Sequence, residues 1–308
     1  MKKMTFILAC LTMAAMSANA QISKVLLQHQ GNVTMYEPED IQKAIDAAQN
    51  GDTIFLNKGT FPGFTITKQI SVIGAGESNS RVSSQITIDV PNKPTLSARM
   101  LDGIGRSSGG GTVIVNKAVN NLIIRKCSLY RIEFKDYVDD VSIDRCTLDR
   151  IMLSEKVIGL TINNSILEFI YGTAYKDTSV KCVNCHLTTA PSLQSFASTV
   201  VTFVNCMVNN AETYHYSNKC QYLNCSVRGM IYGIYNDECT NDYSKIKEYT
   251  ANELDFNKYY GTDGTIIGIE GGQSPYTLVT TAPKVTERDI QVSTDMKKLN
   301  VNIKVTPN

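Results

Sequence analysis

The chain has no tryptophan, only three histidines, and no excess of either charge: 30 Lys and Arg stand against 29 Asp and Glu in 308 residues. Without tryptophan, every motif that needs an indole is excluded. The balanced charge gives no nucleic-acid footprint, which requires a basic excess gathered on one face. A phosphate loop is also missing. Gly103 and Gly105 begin a G-x-G pattern within 102–112, but no Gly-Lys-Ser/Thr follows, so the segment reads as a surface loop leaving one coil. After the first twenty residues no run is long and apolar enough to span a bilayer. Disorder is excluded by composition, with 43% hydrophobic and 19% charged residues.

What the chain does have is one phrase repeated at nearly fixed pitch. It reads Leu122-x-Ile124-x-x-Cys127-x-Leu129, Val141-x-Ile143-x-x-Cys146-x-Leu148 and Leu160-x-Ile162-x-x-Ser165-x-Leu167. It continues as Val180-x-Cys182-x-x-Cys185-x-Leu187, Val201-x-Phe203-x-x-Cys206-x-Val208 and Cys220-x-Tyr222-x-x-Cys225-x-Val227. From one Cys/Ser position to the next the steps are 19, 19, 20, 21 and 19 residues. A period of about 20 residues is one coil of a solenoid, and each coil buries its apolar face only by stacking on its neighbours.

The first twenty residues read as a signal peptide. Lys2 and Lys3 precede the apolar stretch 5–15, and Ala18-Asn19-Ala20 has the small-x-small form of a cleavage site, so the mature chain is expected to start at Gln21 and to be exported. Eight cysteines then remain, an even number that suggests disulfides in an oxidising compartment. The repeat argues otherwise. Stacked rungs lie about 4.8 Å apart with parallel side chains, whereas a disulfide turns its Cβ atoms toward each other at about 3.8 Å. A buried ladder of free thiols acting as small hydrophobes is expected.

Residues 21–36 read as a strand and a loop. Glu37-Pro38-Glu39-Asp40 opens a helix whose Ile41, Ala44, Ile45 and Ala48 share one face, and Asn50-Gly51 ends it. The run Ile41-Gln-Lys-Ala-Ile45-Asp-Ala-Ala48, then Gly51-Asp-Thr-Ile54, Gly59-Thr-Phe61 and Ile73-Gly-Ala-Gly76, resembles the opening of the pectin-lyase-like superfamily. The resemblance implies a right-handed parallel β-helix, all-β apart from a short N-terminal helical cap. It implies no activity, because lyases, hydrolases, esterases, adhesins and inert proteins share that scaffold. The family's polygalacturonase elements find only the echo Asp139-Asp140, and its lyase and esterase segments carry tryptophan. A leucine-rich repeat shares the core phrase, but its opening differs and no helical half follows each strand here. The expected organisation is a signal peptide over 1–20, an N-terminal strand and helical cap over 21–51, the β-helix over 52–235 and a β-rich C-terminal cap region over 236–308. In the last region, Leu299-x-Val301-x-Ile303-x-Val305 alternates as a half-buried strand, and the glycine-rich 261–275 resembles tails of secreted β-helix proteins from glycan-using Gram-negative bacteria.

Period-2 alternation places Leu122, Ile124, Cys127 and Leu129 inward, and then Ile132 and Phe134. The outward residues between form a column: Glu133, Met152 and Tyr171, continued by extrapolation through Gln194, His215 and Tyr232, with Tyr175 and Asp237 flanking it. Aromatic rings beside amides and carboxylates suit sugar binding. These seven (Glu133, Tyr171, Tyr175, Gln194, His215, Tyr232 and Asp237) are the candidate carbohydrate-binding residues. No catalytic pair emerges, since a hydrolase wants two carboxylates flanking one bond and Glu133 stands alone in its column. Asp139, Asp140 and Asp144 could offer oxygens to Ca²⁺, although a solvated turn is the plainer reading, and no cofactor is expected. Cys182-Val-Asn-Cys185-His186 matches the haem-attachment pattern C-x-x-C-H, but both cysteines fall in the inward register and His186 falls outward, beside Thr147 and Ser226. The expected function is non-catalytic binding of a polysaccharide in a lateral groove. A polysaccharide lyase or glycosidase of the same fold, and a structural or adhesive surface protein with a protein partner, are the alternatives.

Overall fold

The computed structural model describes residues 23–91, 100–155, 157–174, 178–188, 192–195, 200–208, 220–223, 226–227, 284–292 and 299–306. The signal-peptide segment, Tyr175, His215, Tyr232, Asp237 and the glycine-rich 261–275 lie outside them. The chain divides into two units, 1–275 and 276–308. The first is a parallel β-helix with one short α-helix near its N-terminus. The second contains an antiparallel pair, Lys284–Val292 with Leu299–Thr306, shifted in register between Val285 and Glu287.

The repeat phrase makes the solenoid in a direct way. Its first half lies in an eleven-stranded sheet, where Ile124, Ile143, Ile162, Cys182, Phe203 and Tyr222 stand in register on successive parallel strands. Its last residue enters a second, ten-stranded sheet, where Leu129, Leu148, Leu167, Leu187, Val208 and Val227 are likewise in register. Leu122, Ile124, Ile132, Phe134, Ile143, Ile151, Leu153, Ile162 and Ile170 are all fully buried between the sheets. Two three-stranded sheets complete the coils.

The turn between the two sheets rests on the residue just before the Cys/Ser position. Lys126, Arg145, Asn164, Asn184 and Asn205 all adopt φ between 47° and 55°. Asparagine tolerates this left-handed conformation better than most residues. The three asparagines are buried and stacked: Asn205 Nδ2 donates to Asn184 Oδ1 (3.0 Å), Asn184 Nδ2 to Asn164 Oδ1 (3.2 Å), and Asn164 Nδ2 to Asp144 Oδ1 (3.4 Å).

Cys127, Cys146, Cys182, Cys185 and Cys206 are buried free thiols. They pack in the apolar core as expected, and the thiols of the Cys/Ser column also close polar gaps at the same turn. Cys206 Sγ donates to Val204 O (3.2 Å) and Cys182 O (3.4 Å) and accepts from the Cys185 N–H (3.3 Å). Ser165 does the same with oxygen: its hydroxyl donates to Asn163 O (2.6 Å) and accepts from the Cys146 N–H (3.0 Å). Burial pushes the Cys146 thiol well above its ordinary pKa, with Cys127 adding to the shift, so it stays a neutral donor.

At the N-terminus the expected single strand and loop is a two-stranded hairpin, Val25–His29 and Asn32–Tyr36, joined by Gln30 and Gly31 at φ 46° and 88°. Two consecutive left-handed residues make a type I′ turn, whose twist matches the strands. Val25–His29 pairs antiparallel with Thr53–Leu56 and so covers the first parallel strand. The helix Ile41–Ala47 follows a single 3₁₀ turn at Pro38–Asp40 and buries Ile41, Ala44 and Ile45, as its periodicity predicts. Two side chains fasten it. Gln42 accepts from the Thr65 N–H (2.8 Å) and donates to Thr65 O (3.1 Å), standing in for a missing strand beside Phe64–Ile66. Lys68 Nζ donates to Asp46 O (2.6 Å) and Ala48 O (2.7 Å), placing a cation on the helix C-terminal carbonyls.

The segment 102–112 is not a loop leaving a coil. It is most of a coil, with strands Leu101–Asp102, Gly105–Arg106 and Thr112–Val115 and a fully buried Ile104. Its glycines permit close stacking, since a Cβ on Gly105 would lie 1.8 Å from Glu77 O.

Candidate functional site

The outward face of the second sheet is built by three strands of seven to nine residues, Ser128–Phe134, Thr147–Leu153 and Ile166–Ala174. Their inward residues are spaced by three and then by two, as in Leu129, Ile132 and Phe134. Two consecutive residues therefore point outward at each corner, and one column follows further along. The columns, in register, are Arg131 and Arg150, and then Glu133, Met152 and Tyr171. The predicted column is therefore present in its first three members. Beyond Tyr171 the extrapolation shifts. The strand Ser192–Ser195 sets Ser192 beside Tyr171 and Gln194 beside Thr173, so Gln194 stands two residues further along the strand. The step from Tyr171 to its neighbour is 21 residues rather than the 23 that Gln194 required. Tyr175, His215, Tyr232 and Asp237 lie outside the described residues.

Glu133 faces outward but is buried, with 8% exposure. Strand alternation puts Arg131 and Lys135 on its own side, and Glu133 meets both, with Arg131 Nη2 at 3.3 Å from Oε2 and Lys135 Nζ at 3.8 Å from Oε1. The neighbouring rungs bring Ile114 and Met152 against it. The carboxylate is thus a counter-ion between two cations.

A cleft at the corner of this sheet involves residues that alternation alone passed over. Tyr130, at the corner, is 37% exposed. The Arg106 guanidinium carbon lies 5.9 Å from the centre of its ring and the Arg150 carbon 5.3 Å, within cation–π range. Arg106 is held by Asp149, with Nη1 to Oδ2 at 2.6 Å. Tyr130, Arg106 and the turn Ser107-Ser108-Gly109-Gly110 line a cleft of about 450 Å³. Gly111 makes the close approach possible. It sits at φ +84°, where a Cβ would lie 2.5 Å from Arg106 Cβ, and its carbonyl accepts the Tyr130 N–H at 2.9 Å. The signal for these residues lay in the Leu129-x-x-Ile132, Leu148-x-x-Ile151 and Leu167-x-x-Ile170 spacing, where three positions instead of two separate inward residues.

His186 shares its register with Ile166, Thr147 and Ser226 as expected, but it is fully buried rather than exposed. Burial lowers its pKa to about 4, so the ring is neutral at ordinary pH. Cys182 and Cys185 are interior, on the other side of the strand surface from any external group. His29 is engaged structurally, with Nδ1 2.9 Å from Asp52 Oδ1, while Asp52 Oδ2 accepts the Gln49 N–H at 2.7 Å. Asp139 accepts from the Tyr137 hydroxyl (3.2 Å) in one of the small sheets, whereas Asp144 lies on the first large sheet. Among the described residues no group of three or more His, Cys, Asp or Glu side chains converges on a metal position.

No protein-family model, curated protein or solved structure matches this chain.

Proposed function

We propose that this chain is an exported β-helix protein that binds a polysaccharide, without turning it over, along the outward face of its second sheet. The observation that carries the reading is the Tyr130 cleft: a half-open aromatic ring with two guanidiniums in cation–π range, beside a turn of serines and glycines. A ring covers the apolar face of a sugar, while guanidinium and hydroxyl groups take its oxygens. The site continues along the solenoid axis. Tyr171 stands two rungs on from Glu133, about 10 Å at the usual strand spacing. Because Tyr130 lies three residues back along its strand from Glu133, an extended polymer crossing the rungs diagonally would meet an aromatic ring at Tyr130 and at Tyr171. Binding without turnover is supported by the described carboxylates nearest the cleft. Glu133 is engaged by Arg131 and Lys135, and Asp149 by Arg106, whereas a glycosidase needs a pair of carboxyl groups open to one bond.

The test is incubation of the purified chain with a panel of plant and host polysaccharides, followed by chromatography of the products and by affinity electrophoresis. The expected result is that one polysaccharide retards the protein, that Tyr130→Ala loses at least tenfold in retardation affinity, and that no product forms. New oligosaccharides would overturn the reading, and unsaturated ends among them would mark a lyase. Retardation equal in the native chain and Tyr130→Ala would place binding elsewhere.

A further inference from the structure

The eleven-stranded sheet ends on the hairpin strand Asn32–Tyr36, which among the described residues has a neighbour on one side only. From this edge strand we infer that the chain self-associates, pairing Asn32–Tyr36 antiparallel with the same strand of a second copy.

Edge strands are ordinarily blunted by charge, proline, a bulge or a covering segment. Here Gln30 to Tyr36 contains no charged residue and no proline. Pairing with Val25–His29 runs through all five residues without a register shift. Four of the strand's five residues are exposed. Val33 and Met35, 48% and 63% exposed, are two of the three large hydrophobic side chains exposed among the described residues, and the third is Tyr130 of the cleft.

The hydrogen-bond pattern follows from the turn. A two-residue type I′ hairpin makes its flanking residues, His29 and Asn32, a bonded pair, and bonded pairs then alternate. Asn32, Thr34 and Tyr36 therefore spend their backbone groups on Val25–His29. The N–H and C=O of Val33 and Met35 face the open edge, alongside their exposed side chains. Across the sheet, Met35 begins an outward apolar row, in register with Leu26, Phe55 and Ile73, all half-buried.

A second copy completes this edge without any new surface. A two-fold axis through Thr34 sets Thr34 against its own equivalent and Val33 against Met35 of the second copy, on both sides of the axis. Both Val33–Met35 pairs are then bonded pairs, which uses all four open backbone groups on each strand. Each apolar row gains the second copy's Val33 at its end, and the two rows lie side by side across the axis. With no charge on either strand, like charges never meet. Two-fold pairing needs only this one self-complementary surface. One strand pair is a small interface, so the dimer is weak, with a dissociation constant on the order of 100 µM.

The register gives the experiment. Non-bonded antiparallel pairs bring Cα atoms to about 4.5 Å, inside the range a disulfide spans. Under mild oxidation, the full chain carrying Thr34→Cys should give a covalent dimer on a non-reducing gel. The native chain and Asn32→Cys should give at least tenfold less. Sedimentation of chains without added cysteine supplies the second arm. The native mass should rise toward that of a dimer across the dissociation range. Val33→Lys/Met35→Lys should remain monomeric, because like charges would then face each other. Val33→Lys/Met35→Glu should recover the dimer, because opposite charges would face each other. A native chain that is monomeric throughout with no cross-link at position 34 overturns the inference. So does a dimer indifferent to both double substitutions, which would place the contact on another surface. Neither arm depends on glycan binding, so the two readings stand or fall separately.

Discussion

Replacing Asn184 by alanine and by glycine should invert the usual order of damage. Asn184 is 3% exposed and holds φ 52°. Its side chain accepts from Asn205 at 3.0 Å and donates to Asn164 at 3.2 Å. Both substitutions remove these two bonds, at about 1 kcal/mol each, and strand a buried donor on Asn205 and a buried acceptor on Asn164. Alanine additionally carries a Cβ into the left-handed region, for a further ~1–2 kcal/mol. Glycine adopts that conformation freely. The expected losses are therefore about 3–4 kcal/mol for Asn184→Ala and about 2–3 kcal/mol for Asn184→Gly. In an ordinary strand or helix, glycine would instead be the worse by roughly 0.5–1 kcal/mol. Urea unfolding followed by far-UV circular dichroism and by tyrosine fluorescence would measure both, since the chain has 15 tyrosines and no tryptophan to mask them. A glycine variant less stable than the alanine variant would refute the argument that the left-handed turn is what asparagine serves. Losses below about 1 kcal/mol in both would refute the contribution of the stacked amides.

His186 should make the fold acid-sensitive. Its folded pKa is about 4 against an ordinary 6.5, so the unfolded chain binds the proton more readily. The contribution is complete above pH 6.5 and is lost as pH falls toward 4, by about 3 kcal/mol, so the stability difference between the native chain and His186→Gln should narrow over that window by this order. Cys206→Ser should be tolerated better than Cys206→Val, despite the greater polarity of serine. Valine leaves the buried Cys185 N–H without its acceptor, at about 1–3 kcal/mol, while Ser165 already fills the equivalent place, and equal melting temperatures would return the thiols to the role of plain hydrophobes. Gly111→Ala should lower the melting temperature and also weaken polysaccharide retardation, because a Cβ at φ +84° would push Arg106 from the Tyr130 cleft; loss of stability with unchanged retardation would separate the cleft from binding.

The Glu133, Met152 and Tyr171 column was legible because period-2 alternation and a constant 19-residue step are enough to superpose three rungs. Gln194 shows where that reasoning ends. After Tyr171 the coil length changes, and Gln194 falls two residues further along the strand than the column requires. The helix face of Ile41, Ala44 and Ile45 followed from spacing alone, whereas the Gln42 bonds to Thr65 join residues 23 apart and had no local signal. The position before each Cys/Ser residue holds lysine and arginine in the first coils and asparagine later, so no single residue type marks it. Its constraint is a backbone angle, which only the turn reveals.

The sequence by itself determined the solenoid: which residues face inward, that neighbouring phrases stack in register, and that a short helix precedes the first parallel strand. These follow from periodicity, and periodicity is a property of the chain alone. The tertiary structure decided what the non-repeating residues do. It gave the buried cysteines hydrogen bonds, buried His186 and Glu133, brought Arg106 and Arg150 to the same tyrosine across coils, and, among the described residues, left Asn32–Tyr36 without a neighbour on its outer side. Each of those outcomes depends on which atoms meet across coils, and contacts between residues some 20 positions apart are set by coil length and turn angle rather than by any local pattern.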